Sequence, residues 1–151
     1  MLFYFVRHGE ANLIEEDSER GLSAKGIKEA ELIGARLKAM KARPLRILHS
    51  SKKRAIQTAQ IIYKHLTPPG GIYETPGLNP NDDIEKWVAR LAEETTSLML
   101  VGHLPFLAVL AAELTGENPD DMAFETATAL CIDRTDQEGF KKKWKITPRE
   151  G

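Results

Sequence analysis

Two histidines and two arginines occupy positions from which their side chains could handle a phosphoryl group. His8 and His103 each follow a short apolar run, Arg7 stands beside His8, and Arg54 lies shortly after another such run. Runs of this kind are typical of buried parallel strands, and ligands bind just beyond the carboxyl ends of those strands. An imidazole can attack phosphorus, and guanidinium groups can hold the phosphoryl oxygens. The spacing therefore predicts a phosphoryl-transfer site at one edge of a sheet.

The composition is that of an ordinary globular protein. Of the 151 residues, 42% are hydrophobic and 28% are charged, with a net charge of −1. This length predicts a single domain over 1–151 with a packed core. The net charge gives no general attraction to nucleic acid or to an anionic membrane, and no apolar run reaches the ~20 residues that span a bilayer. The single cysteine, Cys131, allows no internal disulfide, so we expect a cytoplasmic protein without a secretory signal.

Apolar periodicity predicts alternating strands and helices. Strands are predicted over 2–6, 45–48 and 98–101, and a closing hairpin over 126–132 and 140–146. Helices are predicted from an N-cap at Ser23 to about 40, over 52–66, after an N-cap at Asn81 or Asp82, and over 104–114. This order predicts an α/β three-layer sandwich, with a mostly parallel central sheet, an antiparallel edge and helices on both faces.

Four segments match the motifs of a known enzyme family, in the order in which that family carries them. They are Arg7-His8-Gly9-Glu10-Ala11, Leu22-Ser23-Ala24-Lys25-Gly26, the run from Ser50 through Arg54 to Ala59, and Val101-Gly102-His103-Leu104-Pro105. In these segments the chain resembles the histidine phosphatase superfamily, whose fold is phosphoglycerate-mutase-like. Within that superfamily it is most similar to the short bacterial SixA-type phosphohistidine phosphatases. The resemblance implies a metal-free phosphatase that works through a phosphohistidine enzyme intermediate.

The resemblance also implies a role for each matched position. His8 would be the nucleophile that becomes phosphorylated, and the oxygens of the phosphoryl group would be surrounded by Arg7, Arg54 and His103. Further substrate contacts are expected from Arg20, Asn12, Gly9 and Leu104.

The resemblance leaves open which residue would protonate the leaving group. Larger members of the superfamily supply a carboxylate from the region after the second helix, and here no single acid in residues 73–83 matches it. Asp82 is the candidate, with capping of the following helix as its alternative role. An alkoxide leaving group depends strongly on general acid catalysis, whereas a labile P–N bond releases an imidazole. The missing match therefore favours protein phosphohistidine as the substrate.

Two other functions stay open at this level. One is a small-molecule phosphomonoesterase acting on a sugar phosphate or a nucleotide, and the other is a non-catalytic phosphate-binding module. The expected partner is thus a phosphorylated protein, such as a histidine phosphotransfer domain, or a small phosphorylated metabolite. The four histidines show no metal-ligand spacing, so neither a metal nor another cofactor is expected. We interpret the lysines in 141–145 as blunting an edge strand rather than binding nucleic acid.

Overall fold

The computed structural model describes residues 1–148, and residues 149–151 of the predicted domain lie outside the described residues. The chain forms one six-stranded sheet in the order β3-β2-β4-β1-β5-β6. The strands are β1 (Leu2–Arg7), β2 (Arg46–His49), β3 (Ile72–Glu74), β4 (Leu98–Gly102), β5 (Ala129–Thr135) and β6 (Gly139–Ile146). The helices are α1 (Ala24–Ala39), α2 (Lys53–Leu66), α3 (Glu85–Glu93), α4 (Phe106–Thr115) and α5 (Pro119–Met122).

The sheet is mostly parallel with an antiparallel edge, as predicted. Strands β3, β2, β4 and β1 pair in parallel, so their carboxyl ends all meet at one edge of the sheet. Strand β5 pairs antiparallel with β1, and β6 completes the closing hairpin at the outside of the sheet. The edge strand β6 exposes Lys141, Lys142, Lys143 and Lys145, a composition that discourages pairing with further strands.

Helices cover both faces of the sheet, which gives the predicted three layers. Because side chains alternate along a strand, β1 sends Phe3 and Phe5 to one face and Tyr4 and Val6 to the other. The first face packs against α3, α4 and α5, and the second packs against α1 and α2. Two apolar clusters therefore fix the sheet from both sides and hold the strand ends in place.

Several boundaries differ from those predicted. Neither β3 nor α5 is predicted from the sequence, because they are only three and four residues long, too short for a periodic pattern to emerge. The third helix begins at Glu85 with Ile84 at its N-cap, so the predicted cap at Asn81 or Asp82 is wrong. The Asp82 carboxylate accepts instead from the backbone N–H of Asn79 at 2.8 Å. It therefore closes the preceding turn, and the neighbouring Asp83 carboxylate accepts from the N–H of Glu85 in the first turn of α3 at 3.0 Å.

The last predicted hairpin is also displaced. Strand β5 begins at Ala129 rather than at 126, because the residues before it make hydrogen bonds to the end of β1 and to the loop that follows it. Ala127 has a positive φ of 55°, and its N–H lies 3.0 Å from the carbonyl oxygens of both Arg7 and His8. The segment before β5 thus supports the loop that follows β1 instead of extending the ladder.

Candidate active site

His8 directly follows β1, and its ring is held with one nitrogen free. Its backbone N–H donates to the carbonyl of Gly102, the last residue of β4, at 3.0 Å. Its Nδ1 lies 2.7 Å from the carbonyl oxygen of Gly9. Since a carbonyl can only accept, Nδ1 carries the proton and donates it. This tautomer leaves a bare lone pair on Nε2 of a side chain that is still partly exposed.

His103 directly follows β4 and lies beside His8. The two ring centroids are 5.1 Å apart, with the rings inclined at 58°. His103 is only 1% exposed, and its Nε2 lies 2.7 Å from the hydroxyl of Ser50. Its other nitrogen, Nδ1, is buried and has no hydrogen-bond partner within residues 1–148. A buried polar atom left unpaired is uncommon, so this nitrogen indicates where a ligand oxygen would complete the site.

Three arginines surround the histidine pair. Arg7 ends β1 and is anchored by Nη1, which donates to the carbonyl of Phe124 at 3.0 Å. Arg54 lies in the first turn of α2, just after β2. Arg20 lies on the loop between β1 and α1 and donates from Nε to the carbonyl of Asn12 at 3.0 Å. These cations, delivered by three separate segments, form what we call the phosphoryl cup together with His8 and His103.

Burial and positive charge keep both imidazoles neutral. Burial lowers the pKa of His8 to about 4, opposed by its hydrogen bond to Gly9 and assisted by the charges of Arg54, Arg7 and Arg20. Burial likewise lowers the pKa of His103 to about 3, with His8, Arg54, Lys52 and Arg7 acting in the same direction. Apart from His8, every side chain whose charge lowers either pKa is an arginine or a lysine. His8 therefore presents a neutral nitrogen inside a positive field at physiological pH.

The loop that carries His8 is fixed by close backbone packing. The Gly9 N–H donates to the hydroxyl of Thr58 at 3.0 Å, and that hydroxyl donates to the carbonyl of Arg54 at 2.8 Å. A Cβ on Gly9 would lie 2.7 Å from the carbonyl oxygen of Gly26, in the first turn of α1. Only glycine permits this approach. The same contacts thus tie this loop, which carries the predicted nucleophile, to both α1 and α2.

The remaining predicted residues are placed less centrally. Asn12 borders the cup through Arg20, but its side-chain amide already donates to the carbonyl of Leu22 at 3.2 Å. Leu104 is partly buried and packs against the core cluster beside α4. Asp82 lies in the turn before α3, where its carboxylate holds the N–H of Asn79. Its role as a proton donor stays a prediction.

Sequence reasoning missed two residues that support the site. Ser50 follows β2 as His8 follows β1, and this shared position was the signal that could have identified it. Thr58 lies one helical turn after Arg54, so it faces the same side of α2. Both lie within the segment from Ser50 to Ala59 that carries the family resemblance.

Comparisons with known proteins show the family of this chain. A model of the histidine phosphatase superfamily (branch 1) matches residues 3–79. The chain therefore belongs to the histidine phosphatase superfamily, and it is a phosphatase.

One relative is similar over nearly the full length. The chain is 30% identical to phosphohistidine phosphatase SixA of Escherichia coli (strain K12), over 98% of this chain and 94% of that protein. A solved structure of the protein histidine phosphatase SixA complexed with tungstate matches with a TM-score of 0.86 and 30% identity, over 98% of this chain and 97% of that one. The alpha-ribazole phosphatase from Shigella flexneri shares the fold, with a TM-score of 0.77 at 18% identity over 100% and 98% of the two chains.

Two further features bear on the environment of the site. Within residues 1–148, no group of three or more His, Cys, Asp and Glu side chains gathers as metal ligands would. Over the same residues, no helix is both long and apolar enough to cross a membrane.

Proposed function

We propose that this phosphatase removes the phosphoryl group from protein phosphohistidine through a phosphorylated His8 intermediate. The observation that carries the proposal is the His8 ring itself. Its Nδ1 proton is held by Gly9 at 2.7 Å, and its low pKa keeps Nε2 unprotonated. A nucleophile needs this combination of fixed orientation and a free lone pair.

The chemistry divides into two transfers. In the first, Nε2 of His8 attacks phosphorus, the P–N bond to the substrate imidazole breaks, and the released imidazole takes a proton from solvent. In the second, water attacks phosphorus, the P–N bond to His8 breaks, and the proton from water leaves to solvent. Arg7, Arg54 and Arg20 balance the charge on the phosphoryl oxygens in both steps. Phosphoryl transfer depends mainly on such positioning and charge stabilisation.

The charges around the cup favour an imidazole leaving group. Apart from His8 itself, the side chains whose charge lowers the pKa values of His8 and His103 are arginines and a lysine, and the candidate acid, Asp82, is held in a turn by Asn79. A phosphomonoester releases an alkoxide, for which general acid catalysis contributes about 10²–10⁴-fold. A phosphoramidate depends on it less. The named activity of the E. coli relative, a phosphohistidine phosphatase, supports the same choice.

The intermediate can be tested by trapping. The wild-type protein is mixed with a ³²P-labelled histidine phosphotransfer domain and quenched rapidly. We expect label on the protein that is stable to base and lost in acid, and no label or turnover with His8→Ala. His65→Gln is the matched control, because His65 pairs with Glu31 at 3.1 Å on the surface. Turnover by His8→Ala at the wild-type rate would contradict the mechanism.

The substrate class is tested by comparing kcat/KM. The labelled domain is measured beside a panel of sugar phosphates and nucleotides. We expect the phosphorylated domain to be preferred, and a strong preference for the panel would instead assign a small-molecule phosphomonoesterase. Binding of phosphate without turnover of any substrate would indicate a phosphate-binding module.

A further inference from the structure

Ser50 makes a buried contact that decides where the proton of His103 resides. Ser50 is 1% exposed, and its hydroxyl has two neighbours. The backbone N–H of Lys52 donates to it at 3.3 Å, and Nε2 of His103 lies 2.7 Å away. A backbone N–H can only donate, so the hydroxyl proton has just one acceptor available between these two neighbours, the lone pair of Nε2.

The opposite arrangement satisfies fewer groups. If Nε2 carried the proton and donated to Ser50, the hydroxyl proton would have no acceptor among these neighbours. The lone pair on Nδ1 of His103 would also be left unpaired in a buried position. With the hydroxyl donating to Nε2, the only unsatisfied group is the Nδ1 proton, which a bound oxygen can accept. Buried polar groups are rarely left without partners.

We infer that Ser50 is a positioning residue that fixes His103 as the neutral Nδ1–H tautomer, so that Nδ1 donates to an oxygen of the phosphoryl group. The two rings of the cup then have complementary roles. His8 presents a lone pair to phosphorus, and His103 presents a proton to an oxygen. This inference rests on the proposed function only for the identity of the oxygen, since the tautomer itself is a property of the free protein.

Hydrogen bonds of the Ser50 backbone fix the position of its side chain beside His103. The Ser50 N–H donates to the carbonyl of Val101 at 3.2 Å, which ties it to the strand that precedes His103. Nδ1 of His49 lies 2.9 Å from the carbonyl oxygen of Ser50 and donates to it. His49, which is buried, thus helps to hold Ser50 in place.

The tautomer can be read directly from ¹⁵N shifts and two-bond couplings of the His103 ring. We expect Nδ1–H in the wild type, mixed tautomers in Ser50→Ala, and recovery of Nδ1–H in Ser50→Thr, which keeps the hydroxyl. Loss of Ser50 should lower kcat by about 10–10²-fold, as loss of outer-shell partners of histidine does in metal sites. Ser51→Ala is the matched control, because Ser51 is adjacent and exposed. An Nε2–H tautomer in the wild type, or an unchanged tautomer in Ser50→Ala, would overturn the inference whatever the substrate.

A second, independent observation concerns the loop at the edge of the cup. Leu13 and Ile14, which we call the rim pair, are 58% and 63% exposed. The loop that displays them is ordered: the N–H groups of Glu16 and Asp17 both lie 3.0 Å from the carbonyl oxygen of Leu13. The Asp17 carboxylate in turn accepts from the N–H of Gly21 at 2.9 Å. Two large apolar side chains are therefore held in solvent by a structured turn.

The rim pair is continuous with the cup. Leu13 follows Asn12, whose carbonyl accepts from Nε of Arg20 at 3.0 Å, and the charge of Arg20 acts on His8. The flanking side chains Glu15 and Glu16 are exposed, whereas Glu19 pairs with Lys53 at 3.4 Å. The rim therefore combines apolar contact area with the negative charge of Glu15 and Glu16.

The geometry points to the rim pair as a docking surface for the protein that carries the phosphohistidine, which rests on the proposed function. A phosphoryl group attached to a folded domain can reach His8 only if the surface of that domain comes against the rim. The complementary surface would hold apolar side chains flanked by lysine or arginine. A free phosphoramidate has no attached domain, so its hydrolysis needs no contact with the rim.

The rim is tested with the double variant Leu13→Ser, Ile14→Ser on two substrates. We expect kcat/KM toward the phosphorylated histidine phosphotransfer domain to fall about tenfold or more, as truncation of interface anchors typically does. Toward free phosphoramidate it should be unchanged. The control is Leu32→Ser, Met40→Ser, two residues that are 45% and 42% exposed on α1 and at its C-cap.

The outcomes separate the rim from the proposed function. Equal kcat/KM for the wild type and the rim variant toward the domain, or equal loss toward both substrates, would overturn the docking surface. A wild-type protein that hydrolyses phosphoramidate but not the phosphorylated domain would contradict the proposed substrate before any variant is compared.

Discussion

His8 stays neutral because its surroundings exclude protons from the nitrogen that must react. Burial is the largest cause of its low pKa, and the arginines that would hold a phosphoryl group lower it further. In the proposed function the same cations serve two purposes. They attract the anionic substrate, and they repel the proton that would block attack by His8. This coupling of binding and activation needs no residue beyond those of the cup.

The first prediction concerns the pH at which His8 titrates. Its C2–H NMR signal, assigned by comparison with His8→Ala, should titrate with a midpoint near the value of about 4. Because the neutral ring is the proposed nucleophile and its pKa is lowered, kcat/KM should not fall through loss of the nucleophile between about pH 7 and about pH 5. The rate is corrected for the spontaneous hydrolysis of the substrate.

The stability of the fold is followed in the same titration. In the unfolded chain the His8 imidazole binds a proton at its ordinary pKa of about 6.5, whereas in the folded protein its pKa is about 4. The free energy of unfolding therefore falls as the pH drops from about 6.5 towards about 4. Fluorescence of the buried Trp87 shows whether the protein is still folded at each point. A midpoint for His8 between about 6 and 7, in folded protein, would contradict the prediction.

At the level of elements, the ends of parallel strands bring together residues that are far apart in sequence. His8, His49 and His103 follow or end β1, β2 and β4, which are neighbours in the sheet. The sequence predicted these strands because their apolar runs are continuous, and it predicted the antiparallel hairpin from its turn. The central position of β4 and β1 explains why His103 and His8 become direct neighbours.

What the sequence could not predict depends on contacts between elements. Strand β3 exists because Ile72 pairs with Ile47 of β2, not because of any pattern of its own. The sequence around Asp82 resembles a helix N-cap, yet the Asp82 carboxylate accepts from the backbone N–H of Asn79, three residues earlier. Ser50 and Thr58 act through atoms of other segments, and their side-chain types alone do not reveal those partners.

The second prediction tests the link between α2 and the nucleophile loop. Thr58→Val keeps the volume of the side chain but removes the hydroxyl that accepts from Gly9. A buried N–H left without a partner should lower the free energy of unfolding by about 1–3 kcal/mol. The kcat should also fall, because Gly9 holds the Nδ1 proton of His8.

Thr58→Ser is the control for this change, since it keeps the hydroxyl and should retain most of kcat. Stability is measured by urea unfolding and kcat with phosphoramidate. Wild-type stability and kcat in Thr58→Val would show that the bond from Gly9 to Thr58 does not position the nucleophile loop.

For the whole molecule, the two faces of the sheet are packed independently while the site lies at its edge. Each face has its own apolar cluster, so the strand ends are supported from both sides. The cup is therefore preorganised by the core, and its cations are close together before any ligand arrives. Their mutual repulsion lowers the pKa of Arg54 in addition to the larger effect of burial, with Arg20 as the neighbouring charge.

This repulsion leads to the last prediction, which is that inorganic phosphate stabilises the whole fold. A ligand at ~100 times its Kd adds about 2.7 kcal/mol to the free energy of unfolding, or roughly 5–10 °C in Tm for a domain of this size. Arg54→Ala should lose most of this shift, because it removes one cation from the cup. Lys64→Ala, an exposed residue in the last turn of the same helix, should keep it. Tm is measured by calorimetry against sodium chloride at equal ionic strength, and an equal shift in wild type and Arg54→Ala would place phosphate binding outside the cup.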